Sequence, residues 1–166
     1  MYQIGDYVVK SARGVCKIDD IVSKDFADHE KKLYYQLMPL ADANTKVYVP
    51  VDRDDNKMRA VMTEEQAQNL IRRIPEIEEC WINNEKERER SYKEAIQSND
   101  SEKLVSIIKQ IYGRKKLRRE QGKKTTVIDG RYFETAENLL YSELELAMKK
   151  SRSEIQELIR ECCESA

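Results

Sequence analysis

Near residue 60 the chain changes its hydrophobic period, so no single sheet or bundle accommodates both of its parts. Before that point lie short runs in which apolar and polar side chains alternate, at residues 6–10, 14–18, 32–37 and 45–51. A period of two belongs to strands with one face buried. Turn-rich separators, Ser11-Ala12-Arg13-Gly14 and Ala41-Asp42-Ala43-Asn44, lie between them. Pro50 falls near a strand end, where its missing N–H does least harm. Four or five strands in so short a segment predict a strongly bent sheet that closes into a small barrel, because an open sheet of that size has little to pack against.

After residue 60 glycine and proline become rare and the period lengthens to about three and a half. Thr63-Glu64-Glu65-Gln66 has capping-box spacing and opens a short helix, with Ala67, Leu70 and Ile71 on one side, that Pro75 ends. A longer, highly charged helix is expected over residues 77–97, broken at Ser98-Asn99-Asp100. Asp100 is placed to cap the next helix, in which Leu104, Ile107, Ile108 and Ile111 recur at helical intervals. Gly122-Lys123-Lys124-Thr125-Thr126 reads as a loop, and Phe133, Ala136, Leu139, Leu140, Leu144 and Ala147 mark a further helix. Ser151-Arg152-Ser153-Glu154 caps a last one carrying Ile155, Leu158, Ile159 and Cys162. The fold class is therefore α+β, with an N-terminal barrel over residues 1–60 and an all-α domain over residues 61–166.

Several function classes fall away on composition. Thirty basic residues face 31 acidic ones, so the molecule as a whole is no generic polyanion binder, although local asymmetry still allows one. No apolar run approaches the length of a membrane span and the N-terminus lacks a signal-peptide core, so a cytoplasmic protein is expected. Cys16, Cys80, Cys162 and Cys163 form no C-x-x-C pair and His29 has no ligand-type neighbour, which argues against a metal site and for reduced thiols. With five glycines, no glycine-rich loop and one histidine, the chain offers no phosphate cradle and no nucleophile–base pair. Neither enzyme chemistry nor a cofactor is expected. Acidic pairs such as Glu78-Glu79 and Glu143/Glu145 read as solvated helix faces in a chain 37% charged.

Two features stand out against that background. Arg114, Lys115, Lys116, Arg118, Arg119, Lys123 and Lys124 are opposed only by Glu120. Such a concentration suits phosphate contacts, which position a protein without reading sequence, or serves equally as a solubilising face that complements the helix dipole. The other feature is Trp81, the single tryptophan, set in Glu78-Glu79-Cys80-Trp81-Ile82-Asn83-Asn84. It is either a packing anchor between helices or an exposed aromatic wedge against a base step.

Taken in order over the whole chain, these segments resemble the CarD family, also called CdnL, whose N-terminal module is shared with the transcription-repair coupling factor. The resemblance rests on Tyr2-Gln3-Ile4-Gly5-Asp6-Tyr7-Val8-Val9, the Gly14 turn, Tyr34-Tyr35 and Val47-Tyr48-Val49-Pro50-Val51. Farther on it rests on Asp100-Ser101-Glu102-Lys103-Leu104-Val105 and on the stretch from Ala136 to Ala147. It implies a Tudor-like or SH3-like barrel that binds a lobe of the β subunit of bacterial RNA polymerase, and a helical domain that contacts promoter DNA at the upstream edge of the bubble.

Polymerase contacts would fall on Lys24, Lys46, Tyr48 and Pro50, with Tyr48 standing where the family often has arginine. DNA contacts would fall on Trp81 as a minor-groove wedge, on Lys86, Arg88 and Arg90 after it, and on the basic run named above. Many members place a basic stretch directly after the tryptophan, whereas Ile82-Asn83-Asn84-Glu85 intervenes here. The implied protein is a monomeric modulator of open-complex stability. The alternative is an adaptor that binds polymerase and an acidic protein partner without touching DNA.

Overall fold

The computed structural model describes residues 1–26, 29–52 and 57–165, and the chain divides into two compact units, Met1–Val61 and Met62–Ala166. The first unit is a five-stranded antiparallel sheet. Its strands are β1 (Tyr7–Lys10), β2 (Gly14–Lys24), β3 (Lys32–Pro39), β4 (Val47–Pro50) and β5 (Met58–Ala60), in the order β4-β3-β2-β1-β5. Gly14, at φ 78°, closes the tight β1–β2 turn in a conformation that costs a side-chain-bearing residue more.

One face of the sheet carries a core of Val8, Cys16, Ile18, Tyr35, Leu37 and Val49. Ile18 and Ile21 pair with Leu37 and Tyr35, yet they stand three residues apart on β2, a spacing that would put them on opposite faces of a regular strand. A β-bulge between Ile18 and Asp20 restores the phase. The bulge is also why simple alternation stops at residue 18 whereas the strand continues to Lys24.

The expected closed barrel is not formed. β4 bonds to β3 and β5 bonds to β1, which leaves them at opposite edges of an open sheet. The sheet does not need closure to hide its apolar residues, because β1 to β4 all contribute to one continuous cluster on a single face.

The second unit contains α1 (Glu64–Arg73), a 3₁₀ turn (Ile74–Glu76), α2 (Glu85–Gln97), α3 (Ser101–Glu120), α4 (Val127–Met148) and α5 (Arg152–Glu164). Capping boxes at Thr63/Gln66 and Ser151/Glu154 open α1 and α5, and Asp100 caps α3. The core is one cluster running from Ala67 to Ile155, with Tyr92, Ile111, Leu144 and Ile155 among its fully buried side chains. Among the described residues no helix is long and apolar enough to cross a membrane.

Two expectations about this unit need correction. The helix expected from residue 77 begins only at Glu85, after an Asn84 cap whose side chain accepts from the Glu87 N–H at 3.1 Å. The backbone before it is held by side chains of α3 in place of a helical ladder: Lys109 Nζ donates to the carbonyls of Ile74 and Ile77 at 3.0 and 2.6 Å, and Ser106 donates to that of Glu78 at 2.8 Å. Glu143 is not a solvated face residue either. It is buried and accepts the Met62 N–H at 2.9 Å and the Ser101 hydroxyl at 3.5 Å, tying the starts of α1 and α3 to α4.

Candidate polymerase and nucleic-acid contact sites

On the sheet unit the register gathers one face on which Asp20, Val22 and Lys24 of β2 stand beside Gln36, Tyr34 and Lys32 of β3, with Tyr48 and Pro50 of β4 completing the row. Three of the four residues expected at the polymerase, Lys24, Tyr48 and Pro50, thus share a face opposite the core. Lys46 lies exposed just ahead of β4.

The Tyr48 hydroxyl donates to Gln36 Oε1 at 3.3 Å, and Gln36 Nε2 donates to Asp19 Oδ2 at 3.1 Å, so the bulge residue steadies the tyrosine. Phe26, exposed in the turn after β2, packs edge-on against Tyr34 at 5.0 Å and tilted against Tyr48 at 5.3 Å between ring centroids. The result is an aromatic patch on the outer face, reaching the open β4 edge.

The periodic pattern did not point to Phe26. The signal available in the sequence was an aromatic residue stranded in a charged turn, Lys24-Asp25-Phe26. Cys16, by contrast, lies in the core, and burial pushes its thiol up to about 11, so it is an inert packing residue.

On the helical unit Trp81 occupies the non-helical segment ahead of α2 and is 48% exposed. It is neither a core anchor nor free of the protein: its Cζ3 lies 3.8 Å from where a Cβ on Gly113 of α3 would stand, so the ring leans on bare backbone. Lys86 and Arg90 project from α2 into solvent.

Arg88, expected to meet phosphate with them, is a correction. It is 6% exposed, its Nη1 donates to the carbonyls of Ile82 and Asn83 at 3.3 and 3.4 Å, and its Nε lies 3.8 Å from Asp129 Oδ1. Asp129 is 1% exposed and also accepts from Arg114 Nε at 2.9 Å and from the Tyr92 hydroxyl at 3.0 Å. Burial, with that carboxylate beside it, pushes the Tyr92 phenol well above its usual range.

The basic run divides the same way. Arg114 is committed to Asp129, and Lys115 Nζ sits 3.6 Å from the centroid of the Phe133 ring. Lys116 and Arg119 are exposed, and the half-buried Arg118 donates to the Lys124 carbonyl at 2.7 Å. Gly122, at φ 71°, ends α3: the Lys123 N–H reaches the Arg118 carbonyl and the Gly122 N–H that of Arg119, the pair of bonds that closes a Schellman cap. That cap turns Lys123 and Lys124 out into solvent.

An apolar groove of about 730 Å³ opens between α3, α4 and α5, with Gly113 in its wall. Among the described residues no group of three or more metal-ligating side chains comes together.

A family model described as the CarD-like/TRCF RID domain matches residues 2–62. The sheet unit is thus similar to the CarD-like/TRCF RID domain over nearly its whole length. Domains of that family are RNA polymerase-interacting and non-catalytic, and the match supports an RNA polymerase-interacting transcription factor. No curated protein matches the chain. The match ends where the helical unit begins, so the outer-face patch of Phe26, Tyr34 and Tyr48 lies within the matched region whereas Trp81 and the basic end of α3 lie beyond it.

Proposed function

We propose that the protein regulates transcription initiation by binding the β subunit of bacterial RNA polymerase through its RID domain while the helical unit contacts promoter DNA at the upstream edge of the bubble. The observation that carries the DNA half of this reading is the half-exposed Trp81, presented by a loop and backed by Gly113.

An aromatic side chain inserted at an unstacked step stabilises opened DNA selectively, because opening costs a few kcal/mol per step and closed duplex offers the ring no such gap. Lys86, Arg90, Arg118, Arg119, Lys123 and Lys124 serve as phosphate contacts, which add affinity without sequence preference. Lys115 and Lys116 adjoin them. The polymerase half rests on the RID domain, whose open β4 edge and adjoining aromatic face, with Lys24, Lys46, Tyr48 and Pro50, suit a partner that adds a strand. The protein acts as a monomer in the cytoplasm, and holding polymerase raises the DNA concentration its helical unit meets, so weak intrinsic DNA affinity suffices.

The test is the lifetime of open complexes formed by purified bacterial polymerase alone, with the protein, and with its Trp81→Ala and Tyr48→Ala variants. The wild type changes the lifetime and both variants return it toward baseline. A second reading, a protein-only adaptor, is favoured by the apolar groove beside the Gly113 wall and by the withdrawal of Arg88 and Arg114 from the surface. It gains if the wild type binds polymerase yet leaves the lifetime unchanged.

A further inference from the structure

The loop that presents Trp81 has no helical ladder of its own, so something else must hold it. On its upstream side Lys109 and Ser106 of α3 grip the carbonyls of Ile74, Ile77 and Glu78. On its downstream side the Arg88 guanidinium donates to the carbonyls of Ile82 and Asn83, the two residues that follow Trp81. A guanidinium buried to this degree is tolerated only opposite a carboxylate, and that carboxylate is Asp129.

Asp129 is itself fixed from two further sides, by Tyr92 on α2 and by Arg114 on α3. Arg114 directly follows Gly113, the residue the indole leans on. One buried carboxylate therefore registers both the loop that carries Trp81 and the helix that backs it.

We propose that Arg88, anchored by Asp129, is a positioning residue that holds Trp81 pre-ordered for its promoter contact. The proposal rests on the wedge reading of Trp81 given above. A ring already held in place avoids the ordering cost that a mobile ring pays when it inserts, so the clamp acts on how strongly the opened DNA is held. Arginine is required because its rigid plane places Nη1 at the two carbonyls while Nε faces the acid, whereas lysine offers a single nitrogen for both tasks.

Because Trp81 is the only tryptophan, its fluorescence reports the clamp in the intact protein without any label. In Arg88→Lys, with far-UV circular dichroism unchanged, the fast component of Trp81 anisotropy decay grows and quenching by acrylamide strengthens. The open-complex lifetime then moves toward that of Trp81→Ala, by about two- to tenfold, the factor expected for ordering one side chain on binding. Tyr92→Phe, which deletes only one donor to Asp129, moves the same readouts by less and serves if Arg88→Lys does not fold. Ile155→Val, which loosens the core away from the loop, leaves Trp81 mobility unaltered.

A folded Arg88→Lys or Tyr92→Phe variant whose Trp81 is as rigid as in the wild type overturns the clamp. A mobile Trp81 with a wild-type lifetime overturns its functional role, provided Trp81→Ala shortens that lifetime. If Trp81→Ala itself leaves the lifetime unaltered, the wedge reading fails instead, while the anisotropy of the free protein still decides whether Arg88 orders the ring.

Discussion

Asp129 sits in the first turn of α4, where the helix dipole favours a negative charge, and two hydrogen-bond donors, Tyr92 and Arg114, together with the nearby Arg88 guanidinium compensate a carboxylate that water does not reach. Removing it strands two guanidinium groups, one buried and one nearly so. Asp129→Ala is expected to lower unfolding free energy by about 3–5 kcal/mol, the range for breaking a buried pair from one side. Urea denaturation followed by circular dichroism measures this. A loss under about 1 kcal/mol would mean that the arginines find other partners or water. The same site explains why charge counting misjudged Arg88 and Arg114: arginines in a polar helix read alike whether they face solvent or a distant buried acid. The acid that claims them lies 41 and 15 residues away in sequence.

Among the elements, helix starts were legible because the interactions that make them are local. Thr63 accepts from the Gln66 N–H at 3.1 Å while Gln66 Oε1 accepts from the Thr63 N–H at 2.9 Å, and four consecutive residues suffice to see it. Thr63→Ala should cost about 1 kcal/mol, and the urea midpoint of the full chain reports it. An unchanged midpoint would show that the start of α1 is held instead through Glu143 and Met62. At α5 the backbone N–H and hydroxyl of Ser151 hold the Glu154 carboxyl below its ordinary value, so that cap contributes above the ordinary carboxylate range and is lost as pH falls through the lowered value. The helix expected from residue 77 failed for the opposite reason. Its replacement bonds come from Ser106 and Lys109, about 30 residues downstream, and no local pattern announces them.

For the whole molecule the proposed mechanism is two modest binding surfaces joined in one chain, which makes salt dependence its clearest signature. With polymerase present, Lys123→Ala/Lys124→Ala should reduce the slope of log affinity against log salt by roughly 0.9 for each phosphate no longer neutralised, alike across promoter sequences. An unaltered slope would remove these lysines from the DNA interface and favour the protein-only adaptor.

The division between β-rich and helical segments, the caps and most of the core positions were present in the one-dimensional pattern, because periodicity and capping act over a few residues. Three other matters waited for the three-dimensional arrangement: the continuation of β2 past Asp19, the open edges of the sheet, and the fate of the charged side chains. Each depends on a partner remote in the chain. Leu37 and Tyr35 set the phase across the bulge, β5 pairs with β1 at the far edge from β4, and Asp129 draws two arginines inward and leaves Trp81 poised at the surface. Local forces choose the elements. Which side chains remain available to a partner is settled by the packing between them, since burial of a charge is a property of its surroundings and not of its neighbours in sequence.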